Sequence, residues 1–192
     1  VDTTPPAAPN LSAPADALVV TTTPAFSWAA PATASKYQFE YDTNSNFNST
    51  SGHAFYISAD LTTTSHTPPA MALGNFFWHV RAKDAAGNWS PWSLTRTLTV
   101  NAATPVAPTL TAPAASAVTN DTTPLFTWNA VAGTSITYEI QFATASTFAS
   151  PLAQSATGLA VTNYTPASGF TPDGIYYWRA RALNINLTPG AW

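Results

Sequence analysis

Apolar and polar residues alternate along most of this chain, which is the signature of strands that bury one face. Phe26 and Trp28, then Tyr37, Phe39 and Tyr41, then Phe76, Trp78, Val80 and Ala82 each occupy every second position. No stretch carries a convincing helical period. The same runs return about one hundred residues later, the mark of a duplicated unit: Phe126 and Trp128, then Tyr138, Ile140 and Phe142, then Tyr176, Trp178, Ala180 and Ala182. Phe47 returns as Phe148, and Trp92 as Trp192. Turn signals separate the runs at Pro68-Pro69, Gly74-Asn75, Gly87-Asn88 and Asp173-Gly174. About seven short strands per copy, with frequent turns, predict an antiparallel β-sandwich. The expected fold class is all-β, with one sandwich over 1–101 and a second over 102–192.

The second sandwich is expected to lack its last strand. In the first copy Trp92 leads into a strand-like run over 93–100; in the second the sequence stops at Trp192. Val1 aligns with Val100, so the N-terminus reads as the end of a preceding strand. A window cut from a longer array is the preferred reading. Donor-strand assembly, with residues 1–6 of another copy in the gap, is the alternative, and Pro5 and Pro6 weaken it because proline cannot donate to a ladder. The joint around Thr104-Pro105 and Pro108 should be extended and stiff.

Each copy resembles the fibronectin type III module in its bacterial extracellular form. The resemblance is carried by Trp28 and Trp128, by Tyr37 and Tyr138, and by the aromatic-x-Trp-x-x-Arg-Ala runs over 76–82 and 176–182. The first copy continues with Asp84-Ala85-Ala86-Gly87-Asn88-Trp89-Ser90, similar to the family's F–G turn, and opens with a similar linker, Asp2-Thr3-Thr4-Pro5-Pro6. The second copy departs from it at Asn184-Ile185-Asn186-Leu187-Thr188-Pro189. The resemblance implies tandem fibronectin type III or immunoglobulin-like sandwiches. It says little about function, because this architecture hosts many unrelated roles.

Composition narrows the surroundings. Charged residues make up 8% of the chain, against about 25% in typical domains. The surface is therefore solvated by the hydroxyls and amides of Thr, Ser and Asn, which suits an extracellular or cell-surface setting. A net charge of -3 argues against nucleic acid and anionic membranes. With no cysteine, each unit must stand on its core alone. Six N-glycosylation sequons begin at Asn10, Asn48, Asn88, Asn120, Asn163 and Asn186, and they permit sugar without requiring it.

The candidate chemistry is aromatic. Trp89-Ser90-Pro91-Trp92-Ser93 matches the Trp-Ser-x-Trp-Ser box of cytokine receptor modules, although the second copy lacks it. Stacking of these indoles on the guanidinium groups of Arg81 and Arg96 is the preferred, structural use. Exposed Trp89, Trp92 and Tyr177 are the candidate ligand-binding residues if the surface instead recognises a glycan or a protein. Glu40 is expected to pair with Arg81, and Glu139 with Arg179 or Arg181, across neighbouring strands. One glutamate per copy does not furnish a glycosidase carboxylate pair. His53, His66 and His79 lack metal-ligand spacing. Asp2, Asp84 and Asn88 could suggest calcium, but the second joint offers no acid. No cofactor and no metal are expected. The expected function is a non-enzymatic spacer, stalk or filament segment, with neighbouring repeats or copies of itself as partners and no membrane insertion. Adhesion modules and accessory domains of secreted polysaccharide-degrading enzymes are the alternatives.

Overall fold

The computed structural model describes residues 2–48 and 55–192, so His53 and part of the Asn48 sequon lie outside the described residues. The chain divides into two compact units, Val1–Asn101 and Ala102–Trp192. Every described regular element is a strand.

Unit 1 contains β1 (Asn10–Ala13), β2 (Leu18–Val20), β3 (Phe26–Ala29), β4 (Ala34–Asp42), β5 (Phe55–Ile57), β6 (Ser65–His66), β7 (Gly74–Asp84) and β8 (Arg96–Val100). One sheet runs β1-β3-β6 and the other β2-β8-β7-β4-β5. The described strands number eight where about seven were expected, because the first strand is divided between the sheets. β1 pairs antiparallel with β3, whereas β2 runs parallel to β8. The break falls between them at Pro14, which has no N–H, and at Ala17, whose φ is +59°. Gly74-Asn75 opens β7 instead of forming a turn before it.

Unit 2 contains β9 (Leu110–Ala112), β10 (Phe126–Trp128), β11 (Thr137–Ala143), β12 (Gln154–Leu159), β13 (Asn163–Tyr164) and β14 (Tyr177–Leu183). Its sheets run β13-β10-β9 and β12-β11-β14. Among the described residues no strand follows β14.

The alternation sets the cores. Phe26, Trp28, Tyr37, Phe39, Trp78, Val80 and Leu98 are buried in unit 1, and Phe126, Trp128, Tyr138, Ile140, Phe142 and Ala180 in unit 2. The rings repeat closely. Phe26 lies 4.6 Å from Phe39 and 4.9 Å from Trp78; Phe126 lies 4.6 Å from Phe142 and 5.0 Å from Trp178. Trp28–Tyr37 and Trp128–Tyr138 are 5.6 and 5.5 Å apart, both inclined by 60°. Such tilted pairs favour ring edge against ring face. Among the described residues the buried indole N–H groups of Trp28 and Trp128 have no acceptor, so both units carry the same desolvation cost in the same place.

Because Trp28 fills the space between the sheets, Trp28→Ala should destabilise unit 1 by about 3–5 kcal/mol. Urea denaturation followed by indole fluorescence checks this; an unchanged unit 1 midpoint would contradict the packing described.

Candidate functional site

Residues 79, 81 and 83 of β7 point away from the core, each two positions from the next. A strand rises about 3.4 Å per residue, so alternate side chains stand about 7 Å apart, room for one flat ring between them. Unit 1 fills these gaps. Phe47 stacks on His79 at 3.6 Å and 13°, and His79 on Trp92 at 3.9 Å and 12°. The Arg81 guanidinium carbon lies 4.6 Å from the Trp92 ring and 4.3 Å from that of Trp89. The Lys83 ammonium lies 4.9 Å from Trp89. The stack reads Phe47, His79, Trp92, Arg81, Trp89, Lys83.

Two serines hold the indoles there. Ser90 N–H donates to Ala82 O and its hydroxyl accepts from Ala82 N–H, at 2.8 and 2.9 Å. Ser93 repeats the arrangement on Val80, at 2.8 and 3.1 Å. Residues 90 and 93 thus satisfy the edge of β7 as a strand would, and they turn Trp89 and Trp92 over its outward face. Phe47 is held with φ +49°, a left-handed conformation that costs a bulky residue roughly 1–2 kcal/mol. Its ring contact with His79 is the visible compensation.

Cross-strand partners fix the cations. Arg81 Nε and Nη2 donate to Gln38 Oε1 at 3.0 and 2.6 Å. Glu40 lies opposite His79, 3.2 Å away, and does not pair with Arg81 as expected, because Gln38 is the register partner of Arg81. Arg96 stands outside the stack. It lies 6.0 Å from the Trp78 ring and donates to Leu11 O, Pro14 O and Ser12 O at 2.8, 2.6 and 3.1 Å.

Unit 2 builds a shorter stack without the Trp-Ser-x-Trp-Ser box. Arg179 lies 4.1 Å from both the Phe148 and Trp192 rings, and Arg181 lies 4.3 Å from Trp192. Phe148 has φ +52°, matching Phe47. Arg179 Nε and Nη2 donate to Gln141 Oε1 at 3.0 and 2.7 Å, while Glu139 accepts from Arg181 at 2.7 and 2.6 Å. Glu139 stands on the outer face with its partner and is buried there. Gly190 takes the place of Ser90 and keeps the N–H bond to Ala182 O at 2.8 Å. A side chain there would collide with the Pro105 carbonyl. Tyr177 lies outside the stack and is 41% exposed.

The residues that suggested calcium close a turn instead. Asp84 Oδ1 and Oδ2 accept from Asn88 N–H and Nδ2 at 2.8 and 2.9 Å, and Asn88 Nδ2 also donates to Asp2 O at 3.0 Å. In unit 2 Asn184 does both jobs, accepting from Asn186 and Thr188 N–H and donating to Ala102 O and Ala103 O. Among the described residues no group of three His, Asp or Glu side chains could hold a metal.

Sequence reasoning missed Phe47 and His79 as members of the unit 1 stack, and Phe148, Arg179 and Trp192 as members of the unit 2 stack. The signal was the recurrence of Phe47 and Trp92 as Phe148 and Trp192.

Burial, with the Arg81 charge beside it, lowers His79 to a pKa of about 4. Unfolded, it titrates near 6.5, so on acidification the unfolded chain takes up the proton first. The stabilisation is full above about 6.5 and is lost as the pH falls towards 4. Burial and the Asp42 charge raise Glu40 above its ordinary range, which acts in the opposite sense and offsets part of the loss. The unit 1 melting midpoint should therefore drop between pH 7 and 4.5, more in the native chain than in His79→Arg, which borrows the unit 2 residue; equal slopes would refute it. Removing one hydroxyl clip, Ser93→Ala, leaves the buried Val80 N–H without its acceptor and should cost about 1–3 kcal/mol in urea denaturation.

No protein-family model and no curated protein matches the chain. Among solved structures it is similar to the FN1-FN3 domains of chicken CNTN1, at 14% identity over 97% of this chain and 66% of that one, with a TM-score of 0.38. It is also similar to the fibronectin(III)-like modules of Clostridium thermocellum CbhA, at 15% identity over 95% and 89%, TM-score 0.37. Alpha-L-rhamnosidase from Dictyoglumus thermophilum matches at 13% identity over 70% and 19%, TM-score 0.39. The strand pairings themselves make the chain an all-β protein of two tandem sandwiches.

Proposed function

We propose that this chain is a non-catalytic structural segment, a spacer or stalk, of an extracellular or cell-surface repeat protein. The observation that carries the reading is the stack present in both units. Trp92 lies between His79 and Arg81, Trp89 meets Arg81 and Lys83, and Trp192 meets Arg179 and Arg181. The indole faces of Trp89 and Trp92 that would hold a sugar are engaged by the protein's own side chains, so they brace the sheet. Each cation–ring contact contributes about 0.5–2 kcal/mol, and the stack ties the segment after β7 to the strand itself. A surface poor in charge and rich in hydroxyls fits the extracellular setting, and no described helix is long and apolar enough to cross a membrane.

Trp92→Ala separates this reading from a glycan-binding one. It should lower unit 1 stability by about 1–3 kcal/mol and reduce the unfolding force in single-molecule stretching. A glycan array should show no binding with either chain. Array binding by the native chain that Trp92→Ala abolishes would replace the structural reading with an adhesive one.

A further inference from the structure

Each sandwich is led by a segment that belongs to no strand. Pro6-Ala7-Ala8-Pro9 runs into β1, and Pro105-Val106-Ala107-Pro108 into β9. In both segments the two prolines are buried and the residue after the first is exposed. Burial at every third position is the period of a polyproline II helix, which makes no hydrogen bonds of its own. Proline also lacks an N–H, so such a segment can be held mainly by its carbonyls.

The turn that follows β7 or β14 does the holding. Asn88 Nδ2 donates to Asp2 O at 3.0 Å. In unit 2 Asn184 Nδ2 donates to Ala102 O and Ala103 O at 3.2 and 3.1 Å, so one amide serves two successive carbonyls. Gly190 leaves free the space that the Pro105 carbonyl occupies. At the far end Thr109 O accepts from Asn129 N–H at 2.8 Å. Unit 1 for its part ends with Asn101 N–H bonded to Val20 O, also at 2.8 Å. The last mooring of unit 1 and the first of unit 2 thus fall on consecutive residues, 101 and 102, with no unmoored residue between them.

We propose that residues 102–109 form a strap of unit 2 latched by the Asn184 amide, and that this latch denies the joint its slack. Released, the strap is a free leader of eight residues, with a reach of about 26–29 Å. Latched, it adds no free length at all. The use of such a strap rests on the spacer reading, whereas its order does not.

The test is backbone nitrogen-15 relaxation on the full 192-residue chain, which reads the strap directly. Asn184→Asp keeps the side-chain oxygen that closes the turn onto Asn186 and Thr188 N–H, and replaces the donor by an oxygen that both carbonyls repel. Order parameters at 102–104 should be about 0.85 in the native chain and fall below about 0.6 in this variant, with β11 and β14 unchanged. Gly190→Ala, which wedges at Pro105 instead, should loosen residues 104, 106 and 107 and decides the matter if Asn184→Asp fails to fold. Low order over 102–107 in the native chain would overturn the proposal without any variant. A strap that stays ordered in Asn184→Asp would overturn it as well. So would loosening that spreads through β11 and β14 in both variants, which would leave Asn184 a general support of the sandwich and no latch.

Discussion

Alternate residues on a strand stand one ring thickness apart from a shared neighbour, and the outer face of each unit is organised by that spacing. Inward, the same period delivers Phe76, Trp78 and Val80 to the core. Outward, it sets His79, Arg81 and Lys83 at intervals that admit one indole each. The core and the stack are thus two readings of one strand. The serine clips on Val80 and Ala82 follow from it too, since an indole can enter a gap only if its backbone is moored opposite that gap.

The fold was legible because burial and polarity alternate with few exceptions, and because the chain repeats itself. The stack was legible only in part. Arg81 with Trp89 and Trp92 could be anticipated from cations and indoles close in sequence. His79 carries no such signal, since nothing local reveals that Phe47, far away in sequence, closes over it. The second stack was hidden by the loss of the Trp-Ser-x-Trp-Ser box, yet only Trp192 and the two arginines were needed. Arg96 could have joined either cluster by composition; the β8 register put it over Trp78 and against three carbonyls.

Comparing the units shows which parts of the device are exchangeable. The carboxylate moves by one rung, from Glu40 opposite His79 to Glu139 opposite Arg181. Glutamine fills the other rung in both, as Gln38 and Gln141. Where the rung holds a titratable imidazole in unit 1, unit 2 has a permanent cation. The ring spacing and the left-handed phenylalanine persist through these exchanges. Geometry is therefore the invariant, and charge is distributed around it.

The turn after the same strand carries a different consequence. Unit 1 divides its closure between two side chains, Asp84 accepting and Asn88 donating, whereas in unit 2 Asn184 alone does both. An amide combines acceptor and donor in one group and needs no ionised carboxylate. It also concentrates the risk. Asn184→Ala removes its hydrogen bonds to the 102–103 backbone and the closure of the turn together, while loss of Asp84 leaves the Asn88 bond to Asp2. Unit 2 has the simpler turn, with closure of the turn and the tie to the leading segment both resting on one side chain.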